Sequence, residues 1–573
     1  MKSRKLLLSL AVFFLVGAFV PTKASPIMST EGEGDSEQPE ARGWVSVGPN
    51  NISGRVRTIV FDKFNDGVMF AGSAGGGLFI SVNNGNNWRE IDFSNGESYA
   101  VSAIAQGNDG AIYVGTGEGF YEPIFAAQSN RKTGLMGNGV YKITLGNSNW
   151  AEGLGTDEEK YAYVLENFNS VVINGTQPEK YDLGHEFAFV NDLAFINDKL
   201  YIATMYGGLK IWDGSTLSNA TINNNVSVNV TDIKVNNSGK IAVAYDGEQG
   251  FEVALSTSDS TFAPINFSTK GGDERYGRIE LAYAIKNNNM LYALVSDYSG
   301  FLQGVYKVDV DAANAQFGNK MISNSVYLGN SMNEAMAIAV NDLEQEYIYI
   351  ASDDMQRLFD ANGTDVFYSE TQTSYSAARI SGSYVAPGIH SILFKENPQT
   401  AEDSINIYLA TDAGVYLFSK DMTQNYTWQP INKGLHSSQY YNVAAGPDGS
   451  IMGAAQSNAI TYIATPSLDG QKSADIVWSP NSLGYTNFDI QTDRDNVPYD
   501  FRIESQTGSN VAGSAIYRSK PNIRKPFILM RPYNGLTRTY SDGNDYTEIN
   551  DQTWHFGQGD NKFMSRQLVL NMI

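Results

Sequence analysis

The chain has 573 residues, of which 42% are hydrophobic, and its 62 acidic and 40 basic side chains give a formal net charge of -22. A charge this negative disfavours nucleic-acid binding, because phosphates would be repelled over most of the surface. The chain has no cysteine, which excludes disulfides, thiolate nucleophiles and cysteine-ligated zinc.

Residues 1–24 have the features of a signal peptide. Lys2, Arg4 and Lys5 precede an apolar stretch over residues 6–20, and Thr22-Lys-Ala24 offers small side chains for cleavage. The stretch is shorter than the roughly 20 apolar residues that span a bilayer. We therefore expect an exported protein with no transmembrane segment after removal of the leader. Residues 25–42 are polar and acidic, and we expect them to form a disordered spacer.

From residue 43 onward, one kind of unit recurs: a short apolar strand, a turn rich in Gly, Asn or Asp, and a second strand. The units begin near residues 57, 101, 192, 232, 280, 335, 391 and 441, with a weaker ninth near 526. Helical periodicity is confined to residues 156–169, for which we expect one short helix.

The spacing of these units, roughly 40 to 65 residues, is typical of four-stranded propeller blades with variable loops. The sequence therefore predicts an all-β protein, a β-propeller of seven to nine four-stranded blades in a single ring. Residues 43–480 form the predicted propeller. Residues 481–573 either supply the final blades that close the ring or form a short β appendage.

The best copy of the repeated turn is Ser81-Val-Asn-Asn-Gly-Asn-Asn-Trp88, and fainter copies end at Trp150, Trp428 and Tyr546. Together with four other segments, this turn resembles the exported β-propeller repeat proteins of the sortilin/Vps10 and BNR (Asp-box) class found in Bacteroidota-type bacteria. The other segments are Gly48-Pro-Asn-Asn-Ile-Ser-Gly-Arg55, Gly277-Arg-Ile279, Gly388-Ile-His390 and Thr411-Asp-Ala-Gly-Val-Tyr416. The Asp-box pattern has Asp where this chain has Asn83. The resemblance implies a structural turn at the blade periphery formed by Ser81, Asn83, Gly85 and Trp88, and a packed, hydrogen-bonded role for His390.

Candidate binding residues lie in the turns between the second and third strands of the units, which open on one face of a propeller. They are Glu118, Tyr206, Asp246, Glu248, Asp297, Tyr298, Asp353, Asp354 and Asp412. Together they predict an acidic, partly aromatic rim that accepts a cation, a basic peptide segment or a hydroxyl-rich glycan, with the tyrosines as stacking surfaces. The competing interpretation is that these acids are solvated turn residues that serve solubility.

No catalytic residue is predicted. Propeller glycosidases use paired carboxylates or, in sialidases, an arginine triad with a Tyr/Glu pair. Phe501-Arg-Ile-Glu504 lacks the proline of the sialidase entry motif, and Ile52-Ser-Gly-Arg55 lacks the Asp that propeller xyloglucanases place after a Gly-rich entry. The four histidines have no close metal-ligand spacing.

No cofactor is predicted, apart from a weak calcium candidate. Asp493, Asp495 and Asp500 cluster oxygen ligands but lack the glycine and the terminal glutamate of an EF-hand loop, so an ordinary acidic turn is the alternative.

The sequence thus favours a non-catalytic binding or scaffolding propeller of a bacterial cell envelope or extracellular assembly, with a protein partner. A link to outer-membrane protein secretion, as component or cargo, is a further interpretation. The alternative is a secreted carbohydrate-active glycoside hydrolase that acts at the acidic mouth. The final location is left open between periplasm, outer-membrane surface and medium.

Overall fold

The fold is taken from a computed structural model of the chain. It describes residues 48–548 except 98, 120–133, 181, 248–249, 269–274, 323–327, 330, 344–345, 354, 362–363, 370–384, 387, 396–405, 421–425, 446–450, 456–459, 464–474, 479–485, 493–497, 506–513, 520–527, 531–538 and 542–545. The predicted leader and spacer therefore lie outside the described residues.

Seven mainly antiparallel groups of strands follow one another along the chain, and we refer to each as a sheet. Each is built from one continuous segment, and the fourth and fifth are joined into one eight-stranded sheet by a parallel pairing of Gly250 with Tyr276. The first contains β1 (Val56–Phe61), β2 (Met69–Ser73), β3 (Gly77–Ser81) and β4 (Arg89–Ile91). The second contains β5 (Val101–Gln106), β6 (Ile112–Thr116), the inserted hairpin β7 (Glu118–Gly119) and β8 (Gly134–Leu135), β9 (Val140–Thr144), helix α1 (Asp157–Asn167) and β10 (Asn169–Val172). The third contains β11 (Val190–Ile196), β12 (Lys199–Thr204), β13 (Leu209–Trp212) and β14 (Leu217–Asn219).

The fourth sheet contains β15 (Thr221–Ile222), β16 (Val230–Val235), β17 (Ile241–Gly247), β18 (Gly250–Ser258) and β19 (Thr261–Ile265). The fifth contains β20 (Tyr276–Tyr283), β21 (Met290–Asp297) and β22 (Leu302–Asp309). The sixth contains β23 (Ala337–Asn341), β24 (Tyr347–Ala351), β25 (Met355–Ala361) and β26 (Thr364–Ser369). The seventh contains β27 (Ile389–Phe394), β28 (Ile407–Thr411), β29 (Gly414–Lys420) and β30 (Tyr426–Pro430).

The seven sheets close into a ring. Their first strands contact one another in succession, from β1 through β5, β11, β16, β20 and β23 to β27, and β27 returns to β1. Seven blades around a common hub are a β-propeller, so the predicted all-β propeller fold is confirmed, with a blade number inside the predicted range.

Two further sheets and a hairpin follow the ring in the chain. They contain β31 (Tyr440–Ala445), β32 (Ile451–Ala455), β33 (Ile460–Ile463), β34 (Asp475–Trp478), β35 (Thr486–Thr492), β36 (Pro498–Ser505), β37 (Ser514–Ser519), β38 (Ile528–Met530), β39 (Thr539–Ser541) and β40 (Tyr546–Glu548). The assignment of residues 43–480 to one propeller and of 481–573 to closing blades or an appendage stays a prediction.

Apolar packing between neighbouring blades holds the ring together. A cluster of buried hydrophobic side chains lies at each of the seven blade interfaces. Phe70 of the first blade, for example, belongs to the same cluster as Val101 of the second, and Tyr408 of the seventh to the same cluster as Val56 of the first. Each fully buried side chain of this kind contributes roughly 1.5–3 kcal/mol, so the interfaces stabilise a ring whose sheets share few hydrogen bonds.

Glycines on second strands allow the next blade to approach closely. A Cβ atom on Gly72 would lie 2.5 Å from Cγ1 of Val101, and one on Gly115 would lie 2.5 Å from Cγ1 of Val190. These contacts explain why glycine interrupts otherwise apolar strands at these points.

The first and seventh blades are joined by a clasp, formed by residues 49–54 on the way into the ring and residues 431–438 on the way out. Ser53 Oγ lies 2.9 Å from Ser437 Oγ, and the Gly54 amide donates to Ser437 Oγ at 3.1 Å. The Gly434 amide donates to the Asn50 carbonyl. Among the described residues, the first and seventh blades each contain only strands of their own segment, so closure depends on the clasp and on the apolar cluster beneath it.

Helix α1 lies over the turn that follows β3. Thr156 and Glu159 form a capping box at its start, in agreement with the helix expected from the sequence. The Tyr161 hydroxyl donates to the Asn87 carbonyl at 2.7 Å, and Trp150 stacks on Tyr163. In the part of the chain that the structure describes, no helix is long and apolar enough to cross a membrane.

Candidate functional site

Five charged or titratable side chains meet where the first, second and seventh blades approach the hub. Arg55 and Arg57 lie at the start of β1, Glu118 follows β6, His390 is on β27, and Asp412 follows β28. We refer to these five residues as the hub cluster. The turn and strand ends that carry them all open on the same face of the ring.

Ion pairs organise the hub cluster. Arg55 binds Glu118 through Nη1 at 2.9 Å and Asp412 through Nε at 2.8 Å, so one guanidinium joins the second and seventh blades. Arg57 Nε lies 3.4 Å from the other oxygen of Glu118. All of these side chains are largely buried, which strengthens their interaction relative to a surface pair.

His390 is held between two of these groups. Its Nδ1 lies 2.7 Å from Arg57 Nη1, and its Nε2 lies 2.8 Å from Asp412 Oδ1. Because a guanidinium can only donate, Nδ1 must accept, and the ring proton lies on Nε2 and is donated to Asp412. Burial and the charge of Arg57 lower the pKa of His390 to about 4, so the imidazole is neutral at ordinary pH.

The charged forms of Asp412 and Arg55 are stabilised, whereas burial lowers the pKa of Arg57. Burial alone would raise the pKa of Asp412, but Arg55 and the hydrogen bond from His390 outweigh it and hold that pKa well below its usual range. Burial would likewise lower the pKa of Arg55, whereas Asp412 and Glu118 raise it above the ordinary value. Asp412 is therefore a permanent carboxylate and a poor proton donor.

The network continues across the hub to other blades. Arg57 Nη1 and Arg278 Nη1 both donate to the Glu334 carbonyl, at 3.0 and 3.2 Å, and Arg278 also binds Glu280. Arg57 belongs to the first blade and Arg278 to the fifth, so this shared carbonyl places the contact in the central space.

Two more carboxylates, Asp192 and Asp232, lie on the first strands of the third and fourth blades, which face the hub. Lys234 binds Asp192 at 3.0 Å and also contacts Asp232. Each aspartate accepts a backbone N–H from the next first strand, Asp192 from Ile233 and Asp232 from Leu281. Burial raises the pKa of Asp232, while Lys234 overcomes burial and lowers that of Asp192. These contacts tie neighbouring blades together.

Of the predicted rim residues, the structure brings Glu118 and Asp412 together in the hub cluster. Asp297 instead accepts backbone N–H groups of Ser299 and Phe301 in its own turn, and Asp353 lies against Gly329. Glu248 and Asp354 lie outside the described residues.

Asp246 lies at the end of β17, on the fourth blade. It accepts a long hydrogen bond from Asn229 at 3.4 Å, while Glu252 beside it binds the Tyr245 hydroxyl at 2.6 Å. Burial, together with the charge of Glu252, raises the pKa of Asp246. Ligand binding by the rim residues stays a prediction.

The two predicted stacking tyrosines are half-buried. Tyr206 makes an edge contact with Phe189, with ring centroids 5.9 Å apart, and the Tyr298 ring lies against Gly250. Tyr206 is on the third blade and Tyr298 on the fifth, so neither belongs to the hub cluster.

The predicted calcium residues cannot be placed as ligands. Asp493 and Asp495 lie outside the described residues, and Asp500 is on β36. Within the described ranges, no group of three His, Asp or Glu side chains is arranged to hold a metal ion.

The turn at Ser81 is held by its own polar side chains. Ser81 Oγ accepts the Gly85 amide at 2.9 Å, and Asn83 Oδ1 accepts the Asn87 amide at the same distance. Trp88 is buried in the interface with the seventh blade, where its Nε1 donates to the Ile431 carbonyl at 2.7 Å. Asn83 thus supplies an acceptor oxygen to the backbone of this turn.

The arginines of the hub are the functional side chains that the sequence did not single out. Arg55 and Arg278 each follow a glycine at the start of a first strand, and Arg57 interrupts an apolar strand. A basic residue at a position where first strands otherwise carry small or apolar side chains is the available signal. This signal does not indicate which carboxylate, hundreds of residues away in the chain, binds the arginine.

The chain matches no protein-family model and no curated protein sequence. Among solved structures, it is similar to the GH74 xyloglucanase from Xanthomonas campestris, with a TM-score of 0.48 and 14% identity over 88% of this chain and 83% of that one. The extracellular domain of a putative one component system from B. thetaiotaomicron matches with a TM-score of 0.40 and 12% identity over 84% of this chain and 53% of that one. The WD40 beta propeller domain of Doa1 matches with a TM-score of 0.33 and 12% identity over 65% and 95% of the two chains. Likeness at this level concerns the fold and carries no information on activity.

Proposed function

We propose that this protein is an exported, non-catalytic binding or scaffolding propeller of a bacterial cell envelope or extracellular assembly. We further propose that it belongs to the Asp-box class of exported propellers, and that its principal ligand is another protein. The observation that carries the proposal is the pairing of Glu118 and Asp412 with arginines at the hub.

Glycoside hydrolysis needs a carboxylic acid that holds a proton near the working pH and a second carboxylate across the sugar. Asp412 does not meet the first requirement, because its pKa lies well below the usual range. Both oxygens of Glu118 are engaged by Arg55 and Arg57. Glu118 and Asp412 therefore join blades and are poor candidates for a catalytic acid and base, which supports a non-catalytic role.

A glycoside hydrolase remains the second candidate, and one observation favours it. Asp246 has a raised pKa and lies beside Glu252, and a carboxyl group with a raised pKa next to another carboxylate is what a general acid requires. The hydrolase candidate therefore predicts sugar release that depends on Asp246, whereas the binding candidate predicts no sugar release.

The test is to incubate the purified chain with a panel of cell-wall and plant polysaccharides and to measure released reducing sugar. We expect no release above that of heat-denatured protein. Sugar release that Asp246→Asn abolishes, while Asp259→Asn on the opposite face retains it, would overturn the proposal in favour of the hydrolase. In parallel, cross-linking mass spectrometry on native envelopes should join this chain to another protein.

A further inference from the structure

Three of the exposed large apolar side chains in the described residues lie on one face of the second to fifth blades. Two others, Leu165 and Val171, are on the helix and the outer strand of the second blade. Leu135, Val226 and Phe301 are exposed by 38%, 42% and 42%, and the half-buried rings of Tyr206 and Tyr298 lie on the same face. We refer to these five residues as the crescent. All five are on second-to-third-strand turns, on the hairpin inserted there, or on a connection between blades, and in a propeller these open on the same side.

The segments that carry the crescent contact one another from the second blade to the fourth, in part through the buried ring of Phe189. Gly134, next to Leu135, lies against Phe189, which contacts Tyr206. A Cβ atom on Gly208 would lie 2.1 Å from the Val226 carbonyl, so the turn of the third blade touches the connection to the fourth.

The crescent then passes from the fourth blade to the fifth. The Tyr298 ring lies against Gly250 of the fourth blade, and Phe301 is in the same turn as Tyr298. Adjacent exposed apolar and aromatic groups on a soluble protein mark interaction sites, and aromatic side chains dominate the energetics of protein interfaces.

The charge beside the crescent selects the kind of partner. Asp246 and Asp297 lie in the same set of turns, and Glu252 lies beside Asp246. In the described part of the chain, none of these three carboxylates forms an ion pair. They contrast with Glu118 and Asp412, whose charges are already matched by arginine. A basic side chain on a partner would find unmatched negative charge here, on a protein whose net charge is strongly negative.

The next inference rests on the proposed function. We propose that the crescent binds a polypeptide segment of a partner protein, and that this segment carries large apolar side chains together with lysine or arginine. The apolar groups of the segment cover Tyr206, Val226 and Phe301, and its cations approach Asp246 and Asp297. The hub cluster lies outside this surface and provides the rigid ring that positions it.

The experiment selects random displayed peptides of about 12 residues on the wild-type chain. We expect the retained peptides to be enriched in both basic and large apolar residues. Their affinity should fall about tenfold for Asp246→Asn combined with Phe301→Ser, since each tenfold change corresponds to about 1.4 kcal/mol. Their affinity for Phe64→Ser should be unchanged, because Phe64 is similarly exposed, at 38%, but lies in a turn on the opposite face.

The wild type, the double variant and Phe64→Ser should have the same midpoint of thermal unfolding within error. Agreement of the midpoints separates loss of binding from loss of fold. Peptides without that composition, or equal affinity for the wild type and the double variant, would overturn the inference. Partner cross-links that map to the face of Phe64, with no sugar release, would overturn it while leaving the proposed function intact. Sugar release dependent on Asp246 would instead overturn the proposed function.

Discussion

Arg55 joins the two blades that flank the first blade at the hub. It binds Glu118 of the second blade and Asp412 of the seventh, and the three side chains are largely buried. Removal of one partner from a buried ion pair leaves an uncompensated charge, which is more costly than the pair itself is stabilising.

Replacing Arg55 with methionine should therefore lower the free energy of unfolding by about 3–5 kcal/mol, because the buried Asp412 loses its cation and Glu118 keeps only Arg57. Denaturant unfolding at neutral pH measures the change. The control is Arg89→Met, which breaks the exposed pair with Glu158 and should cost no more than about 1 kcal/mol. Adding Glu118→Gln and Asp412→Asn to Arg55→Met should recover part of the loss. Equal effects of the two arginine substitutions would contradict this account of the hub.

His390 makes the stability of the hub depend on pH. The folded-state pKa is about 4, below the ordinary value of 6.5, so the unfolded chain binds the proton more tightly. The stabilisation is therefore present above about pH 6.5 and is lost as the pH falls toward about 4, by about 3 kcal/mol in total.

The measurement is the free energy of unfolding of the wild type and of His390→Gln across this range. Glutamine can accept from Arg57 and donate to Asp412 without titrating, so the variant should lack this part of the pH dependence, and the other titrating groups cancel in the difference. A difference that does not change with pH would mean that His390 is not buried in its neutral form.

At the scale of the element, the second strand of the first blade shows how closely blades must approach. A Cβ atom on Gly72 would meet Val101 of the second blade at 2.5 Å. Gly72→Ala should therefore force the two blades apart and cost about 1–3 kcal/mol. Gly318→Ala is the matched control, because a Cβ atom there would make only an ordinary contact of 3.8 Å, and we expect little change. The comparison is made by thermal and denaturant unfolding, and a neutral Gly72→Ala would show that the interface can relax.

The elements themselves could be predicted from sequence because their signals are local. Alternating apolar residues and Gly or Asn turns mark strands such as β5 and β6, and helical periodicity over residues 156–169 marks α1. The hub could not be predicted in this way. Arg55 and Asp412 are 357 residues apart, and no local pattern indicates which carboxylate a given arginine will bind.

The crescent can be predicted from sequence only in part. The sequence singles out its two tyrosines, and Asp246 and Asp297 beside it, as turn residues on one face. It does not single out Leu135, Val226 or Phe301, because an isolated apolar residue in a turn gives no sign of exposure. Whether such a side chain is exposed depends on how neighbouring blades cover it, which is a tertiary property.

At the scale of the whole molecule, the number of blades follows from closure rather than from the count of repeats. The sequence contains eight clear units and a weaker ninth, whereas seven sheets complete the ring, because β27 returns to β1. Closure depends on the angle between packed blades, and that angle is set by side-chain volumes at all seven interfaces together.

Trp88 lies at the interface that closes the ring. It is buried between the first and seventh blades and donates to the Ile431 carbonyl. Trp88→Ala should lower the free energy of unfolding by about 3–5 kcal/mol, because it leaves a cavity at the closing interface. Trp88→Phe keeps most of the apolar contact and should cost clearly less. The readout is denaturant unfolding followed by tyrosine fluorescence, and a change below about 1 kcal/mol for the alanine variant would show that the other six interfaces suffice.

The clasp also determines how the molecule responds to load. The chain enters the ring at residues 49–54 and leaves it at residues 431–438, and the two segments are bonded side by side through Ser53 and Ser437. Tension applied through the flanking segments on both sides would consequently act on the clasp and break its few hydrogen bonds one after another. The other blade interfaces would carry no force until the clasp has separated.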